Sequence, residues 1–185
     1  GNMHGMPLSM ATGIDNLENK VNDPKGETLE YWEQLKNVGV PGQKVYPEDI
    51  VYVAVRDLEK PENYLINKFN INFVETEDVK KLGAEEIAKR VLAMLDHCDL
   101  IYVSFDVDSI DSRFSTGTGT PVPNGLTVDE AKALNVELVK DPRVCAWEIV
   151  EVNPTLDTEN RMAESAFEIL EATAKSIASR PVMAE

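Results

Sequence analysis

The sequence predicts an α/β fold in which a mainly parallel sheet lies between two layers of helices. Short apolar runs with the length of strands recur along the chain, and they alternate with stretches of helical periodicity. Most of these runs are apolar on both faces, which is typical of parallel strands that are covered on both sides. We therefore expect a three-layer α/β/α arrangement.

Four segments have the composition of strands. They are residues 49–55, 71–75, 100–108 and 144–152. The first, third and fourth carry apolar side chains on both faces, so the alternation of a half-exposed strand is missing. We expect these three strands to be buried on both faces.

Three segments have the periodicity of helices. Residues 82–97 repeat apolar side chains every three to four positions. Thr127 and Glu130 form a capping-box pattern that begins a helix through about residue 139, and a last helix covers about residues 158–179. The chain has no internal repeat, low-complexity tract or linker, so its 185 residues indicate a single domain, 1–185.

The composition excludes several classes of partner. A formal net charge of -15 disfavours nucleic acid and anionic membranes, which need a basic surface. A small cationic substrate would suit this charge, but an acidic surface that only keeps the protein soluble is the simpler explanation of the charge alone. Cys98 and Cys145 lack CxxC spacing and predict buried thiols in a reducing compartment. With no apolar run of about 18 residues and no signal-peptide pattern, we expect a cytoplasmic protein.

Residues 104–121 place three aspartates within six positions, directly after an apolar run and before a Gly/Thr-rich turn. If residues 100–108 form a strand, Asp106 and Asp108 point to the same face where the chain leaves the sheet. Two carboxylates this close repel each other unless one takes up a proton or a cation lies between them. Ligands of open α/β sheets bind at that end of the strands, so the segment predicts half of a metal site.

The aspartates alone leave the kind of metal site open. An EF-hand calcium loop counted from Asp106 needs an oxygen ligand at Ile110, glycine at Asp111 and glutamate at Gly117, so that loop is excluded. A DxD pattern that holds manganese for a nucleotide-sugar transferase fits, although three letters are weakly specific. Asp111 lies in the turn, where we expect it to accept backbone N–H groups rather than to bind a metal.

Longer motifs in the chain are more specific, and together they resemble the ureohydrolases, the family of arginases and agmatinases. An SFDxDxxD segment is followed by GTGTP and GLT, and an EVNP segment and a GNxHGxP loop are also present. These motifs lie at residues 104–111, 117–121, 125–127, 151–154 and 1–7, respectively. Their order along the chain is that of the family. Agmatinases generally differ at the EVNP and HGxP places, so the resemblance favours arginase.

The resemblance implies hydrolysis of the guanidinium group of L-arginine to L-ornithine and urea, with two manganese ions per subunit. In the family, hydroxide held by the ions attacks the guanidinium carbon, and metal binding makes this hydroxide available near neutral pH. By position, Asp106 bridges the two ions and Asp108 binds one of them, and carboxylates suit manganese. Family members usually form homotrimers or homohexamers.

Several positions match family residues that handle the substrate. Glu151 matches a glutamate that forms a salt bridge with the guanidinium, and Thr120 matches a threonine near it, although turn chemistry explains Thr120 equally well. His4 matches the residue that passes a proton to the leaving amine, and Asn2 matches a residue near the substrate carboxylate. Glu148, three residues before Glu151, is expected to face the other side of the strand and to be structural.

Residues 55–62 resemble the arginase segment that reaches the amino-acid end of the substrate, with Glu59 and Glu62 as candidate contacts. Glu59 stands where arginases usually have aspartate, so agmatine and other guanidino compounds remain alternatives to arginine. Ser112 and Thr116 replace usual prolines in the turn, which predicts a looser loop that keeps its ligands.

The GGDH and DAHxD segments that supply the remaining metal ligands in the family are absent from this sequence. We expect the chain to be the C-terminal portion of an arginase-like domain whose N-terminal part is missing here, so that activity requires upstream residues. The alternative from a different class is a non-catalytic protein that keeps the fold without the metal pair.

Overall fold

The computed structural model describes residues 5–181, and helices and strands alternate along this range as predicted. The helices are α1 (Pro7–Thr12), α2 (Glu27–Lys36), α3 (Lys60–Phe69), α4 (Thr76–Leu82), α5 (Ala84–Met94), α6 (Val128–Leu138) and α7 (Arg161–Ala178). The strands are β1 (Val51–Val55), β2 (Asn72–Glu75), β3 (Ile101–Asp106) and β4 (Val144–Val150).

The chain forms two compact units. One is built from the residues up to Val51 together with Leu58–Asn72, and the other from Tyr52–Asp57 together with the residues from Phe73 onward. Each unit is continuous in space although the chain passes between them more than once. The single domain expected from the sequence stays a prediction.

The first unit contains α1, α2 and α3. Lys36 of α2 is buried, and its ammonium group lies 2.9 Å from the Asp15 carboxylate. The indole N–H of Trp32 donates to the same carboxylate at 2.6 Å. Asn16, next to Asp15, donates to the Pro61 carbonyl at 2.9 Å. These polar contacts tie the loop after α1 to the other two helices.

The second unit contains the parallel pair β3 and β4, in which Ser104 lies opposite Glu148 and Asp106 lies opposite Val150. Helix α6 packs against α5 and α7, and the indole N–H of Trp147 in β4 donates to buried Asn135 in α6 at 2.7 Å. One face of the strand pair therefore lies on the helices. The largest fully buried apolar side chains of this unit are Val79, Ile87, Val107, Ile110, Leu126, Val139, Met162 and Ile169.

Local sequence signals set the helix ends of this unit. The Thr127 hydroxyl accepts from the Glu130 backbone N–H at 3.1 Å, and the Glu130 carboxylate accepts from the Thr127 N–H at 2.8 Å, so the predicted capping box is confirmed. The helix predicted over residues 82–97 is shorter and begins at Ala84, because Gly83 with φ 80° separates α4 from α5.

One face of β3 is open within the described residues, so the prediction of a strand buried on both faces is wrong there. Tyr102, Ser104 and Asp106 are exposed, whereas Ile101 and Phe105 are buried. The strand also ends at Asp106, two residues earlier than expected, because Val107–Ser109 forms a 3-10 turn. The open face of β3 thus leads directly to its acidic end.

The two cysteines differ in how exposed they are. Cys98 is half-buried but Cys145 is exposed, so the prediction of buried thiols is wrong for Cys145. Within residues 5–181, no helix combines the length and the apolar character that crossing a membrane requires.

Candidate active site

The end of β3 carries the two predicted metal ligands. Asp106 is the last residue of the strand, and Asp108 lies in the 3-10 turn that follows. Val107 between them is completely buried, and Ile110 just beyond the turn is also buried. The two carboxylates are therefore related by a tight turn that is anchored on the core, and not by the two-residue period of a strand as predicted.

Asp106 lies among other carboxylates. Its pKa is raised to about 6. Desolvation is the largest cause, and repulsion from Asp108, Glu151 and Glu148 accounts for the rest of the rise. The side chain keeps exposed surface, so crowding by its neighbours, rather than complete burial, limits its hydration. Negative charge is in excess at this point, and a bound cation would relieve it.

Thr120 contacts Asp108 directly. Its hydroxyl donates to Oδ2 of Asp108 at 2.6 Å, across twelve positions of sequence. A hydrogen bond from a hydroxyl to a carboxylate is short and strong because the acceptor is charged. Thr120 thus fixes the rotation of the Asp108 carboxylate, which is a more specific role than turn formation.

Glu151 follows the end of β4 and turns its carboxylate towards the Gly/Thr loop. Its Oε2 lies 3.9 Å from the place that a Cβ at Gly119 would take. Glu151 has φ 67°, a left-handed conformation that costs a residue with a Cβ roughly 1–2 kcal/mol. This exposed, strained glutamate adds to the negative charge around Asp106. Asp106, Asp108, Thr120 and Glu151 therefore lie together in the second unit.

Glu148 belongs to the same acidic group, contrary to the expectation that it faces away. It lies opposite Ser104, whose hydroxyl donates to its carboxylate at 2.8 Å, and Asp106 follows two positions later on that face of β3. Glu151 lies beyond the end of β4, so the two-residue period of the strand does not relate Glu151 to Glu148.

The turn after β3 is held by backbone contacts that few residue types allow. A Cβ at Gly125 would lie 2.5 Å from the Asp111 nitrogen and 2.6 Å from the Ser109 carbonyl oxygen, so only glycine fits this approach. Asp111 is buried, and its carboxylate accepts the Arg113 backbone N–H at 2.9 Å, as predicted for this residue. This hydrogen bond is the largest of the influences that keep the pKa of Asp111 below its usual value.

Sequence reasoning missed Arg56, which follows β1. Its guanidinium donates to backbone carbonyls on two loops of the site: Nη2 to Asp108 at 2.5 Å and to Val122 at 3.1 Å, and Nε to Pro123 at 3.2 Å. No motif signal marks this role, because the partners are main-chain atoms more than fifty positions away.

The other four predicted site residues are not among the described residues of the second unit. Glu59 and Glu62, in the first unit, begin α3, where the Glu62 carboxylate accepts the Glu59 backbone N–H at 2.7 Å in a capping box. His4 and Asn2 lie outside the described residues. Their roles stay predictions.

Comparison with known proteins identifies the family. The model of the Arginase family matches residues 1–174. The chain belongs to the arginase family. The recognition made from the aspartate, GTGTP and EVNP motifs is thereby confirmed.

Individual arginases agree with this membership. The chain is 33% identical over 158 residues to an arginase from Coccidioides posadasii, a match that covers 85% of this chain and 45% of the relative. It resembles the crystal structure of Helicobacter pylori arginase with TM-score 0.81 and 28% identity, over 93% of this chain and 56% of that one. The Entamoeba histolytica arginase complex with L-ornithine gives TM-score 0.76 and 29% identity, over 94% and 53%. The predicted arginase-like α/β fold is confirmed, and the chain spans about half the length of the arginases it matches.

The acidic group fits part of a site for a divalent cation. Its donors are carboxylate oxygens, which suit magnesium, calcium and manganese. Repulsion among them raises the pKa of Asp106, which indicates that the fold brings these oxygens together without an equal number of positive partners.

Proposed function

We propose that this arginase-family protein hydrolyses the guanidinium group of L-arginine, which yields L-ornithine and urea, and that it uses two manganese ions. The observation that carries the proposal is the excess of negative charge at the end of β3, where Asp106, Asp108 and Glu151 lie together. Hydrolysis of arginine is supported by relatives named arginase.

The carboxylates of β3 are the proposed metal ligands. Asp106 would bridge the two ions and Asp108 would bind one of them, with the other ligands supplied from outside the described residues. Manganese, when bound, makes a water-derived nucleophile available near neutral pH. Thr120 holds the Asp108 carboxylate in one orientation through its 2.6 Å hydrogen bond.

Glu151 is the proposed partner of the substrate guanidinium. A carboxylate can accept two parallel N–H bonds from such a planar group, which fixes the carbon that is attacked. The Glu151 side chain is exposed, and its Oε2 points towards Gly119 in the same loop as Thr120. This position leaves its oxygens available to a ligand.

His4 and the amino-acid end of the substrate complete the proposal. His4 would pass a proton to the leaving amine, because an imidazole titrates near neutral pH. Asn2, Glu59 and Glu62 would bind the α-amino and carboxylate groups. The Glu62 oxygen that accepts the Glu59 N–H is committed to capping α3, so its second oxygen is the one left for a substrate.

Glu59 favours a second candidate substrate class. It is one methylene longer than the aspartate usual in arginases, which changes the space around the α-amino group. A guanidino compound without that group, such as agmatine, is therefore the alternative substrate.

Urea release by the full-length protein tests the proposal. It should be measured with arginine and with agmatine, each with manganese and after chelation. Manganese-dependent urea from arginine is expected, and urea from agmatine alone would establish the alternative. No urea from either compound would favour a non-catalytic protein with the arginase fold.

The assembly and location are also proposals. We expect a homotrimer or homohexamer, as is usual in the family, in the cytoplasm. Sedimentation equilibrium of the purified protein gives the mass, and a monomer would contradict the assembly.

A further inference from the structure

We infer that Arg56 is a positioning residue that sets the Asp108 carboxylate against the Thr120 hydroxyl. The inference rests on the proposed function, because it gives Arg56 a role in holding a proposed metal ligand. Arg56 itself would touch neither metal nor substrate.

The guanidinium of Arg56 joins two loops. Its Nη2 donates to the carbonyl oxygen of Asp108 in the turn after β3 at 2.5 Å, and the carbonyl oxygen of Ile110 lies 3.5 Å from the same nitrogen. The same nitrogen donates to Val122 at 3.1 Å, and Nε donates to Pro123 at 3.2 Å, both in the loop after Thr120. One planar group thus adds side-chain donors to the backbone hydrogen bonds that join the two loops, which run from Asp111 to Leu126, from Ser112 to Val122 and from Leu126 to Ser109.

This contact fixes both ends of the Thr120–Asp108 hydrogen bond. Asp108 is held by its own carbonyl group, and Thr120 is held two residues away at Val122. Since the side-chain bond is only 2.6 Å long, a small separation of the loops would break it. Breaking it would free the Asp108 carboxylate to rotate out of the orientation in which it would bind a metal.

The backbone around Arg56 is arranged for this contact. Ala54 and Asp57, on either side of it, have φ 62° and φ 54°, a left-handed conformation that residues with a Cβ rarely adopt. The buried Thr76 hydroxyl donates to the Ala54 carbonyl at 3.0 Å and supports the first of them. Backbone strain of this kind persists where surrounding contacts determine it, and it is concentrated at functional sites.

Arginine is required because its donors form a rigid fork. Lysine has three donors on a flexible stem and cannot satisfy carbonyls on both loops in one plane. Desolvation lowers the pKa of Arg56, while Asp108, Asp111 and Asp57 favour its charged form, so the guanidinium stays a donor throughout the range in which the protein would act.

The test compares Arg56→Gln and Arg56→Lys with Arg113→Gln in the full-length protein. Arg113 is an exposed arginine of the same loop, and its guanidinium lies 3.8 Å from Asp111, so it controls for charge. Arg56→Gln should lower kcat for arginine and the affinity for manganese by about 10–100-fold, with KM changed by less than about 3-fold. Arg56→Lys should lie between Arg56→Gln and the unsubstituted protein.

The outcomes separate this inference from the proposed function. Arg56→Gln with the manganese affinity and kcat of Arg113→Gln would overturn it. If Arg56→Gln does not fold, Arg56→Lys decides, and unsubstituted values there would overturn it. If the unsubstituted protein releases no urea, the proposed function fails, while manganese affinity and hydrogen exchange still test Arg56. Three backbone amides donate hydrogen bonds across the two loops, those of Asp111, Ser112 and Leu126. Their hydrogens should exchange faster in Arg56→Gln than in Arg113→Gln. Equal exchange rates would overturn the inference.

Discussion

Two aspartates of the second unit, Asp106 and Asp157, have pKa values that are shifted in opposite directions. Asp106 ends β3 among carboxylates, and its pKa is raised to about 6. Asp157 precedes α7, and its carboxylate accepts the backbone N–H groups of Met162 and Ala163 at 3.0 Å and the Ser115 hydroxyl at 3.1 Å. Desolvation is the largest single influence on Asp157 and acts upward, but these hydrogen bonds together lower its pKa.

This difference distinguishes a candidate metal ligand from a residue that stabilises the fold. The Asp157 carboxylate is satisfied by the protein and holds the loop at Gly117, where a Cβ would come within 2.6 Å of it. The Asp106 carboxylate is repelled by the neighbouring carboxylates and would be stabilised by a bound cation. Removing Asp106 should therefore cost function without stability, and removing Asp157 should cost stability without function.

Asp106→Ala gives the largest expected effect. Urea release should fall by more than the about 100-fold typical of changes around a metal ligand. The metal-free protein should melt no lower than the unsubstituted one, because a repelled charge is removed. Calorimetry and the urea assay check both, with Asp99→Asn, an exposed aspartate beyond the other end of β3, as the control. A large loss of stability in metal-free Asp106→Ala would show that Asp106 stabilises the fold, as Asp157 is expected to do.

Glu151→Gln is expected to have the next largest effect. It removes the charge from the proposed guanidinium partner, which should cost about 1.5–3 kcal/mol of binding, or about 10–150-fold in kcat/KM. Glu159→Gln is the matched control, since Glu159 is also exposed with positive φ but pairs with Arg161. Equal kinetics of the two variants would remove Glu151 from the site.

Thr120→Val should lower kcat by about 10-fold. The change removes the hydroxyl that donates to Asp108 and nearly keeps the side-chain volume. Steady-state kinetics of Thr116→Val, an exposed threonine of the same loop, provide the reference. Indistinguishable kcat values would return Thr120 to simple turn chemistry.

Asp157→Ala should leave the manganese stoichiometry unchanged and destabilise the fold by about 1–3 kcal/mol, because backbone donors lose their acceptor. Since the folded-state pKa of Asp157 is lowered, its contribution is complete above the ordinary value of about 4 and is lost as the pH falls through the lowered pKa. Denaturant unfolding should therefore show a gap from the unsubstituted protein at pH 7 that narrows below about pH 4. Asp129→Ala, an exposed aspartate in the first turn of α6, should show a smaller gap.

Local chemistry made part of this molecule predictable. Residues that are close in sequence determine the capping box at Thr127, the aspartate motif and the alternation of helices and strands. These features were sufficient to predict the fold class and the family. The early end of β3 depends on burial of Val107 in the core, and the Arg56 contact joins residues 52 positions apart. The orientation of Glu148 could not be predicted from its spacing to Glu151, because Glu151 lies beyond the end of β4. Such features depend on tertiary contacts that no local pattern encodes.

Metal analysis is the most direct test of the claim that the acidic end of β3 is a metal site. The full-length protein, Asp106→Ala, Asp108→Ala and Asp157→Ala should each be dialysed against manganese and their bound ions counted. We expect two ions in the unsubstituted protein and in Asp157→Ala, one in Asp108→Ala and none in Asp106→Ala. Two ions retained by Asp106→Ala would contradict it.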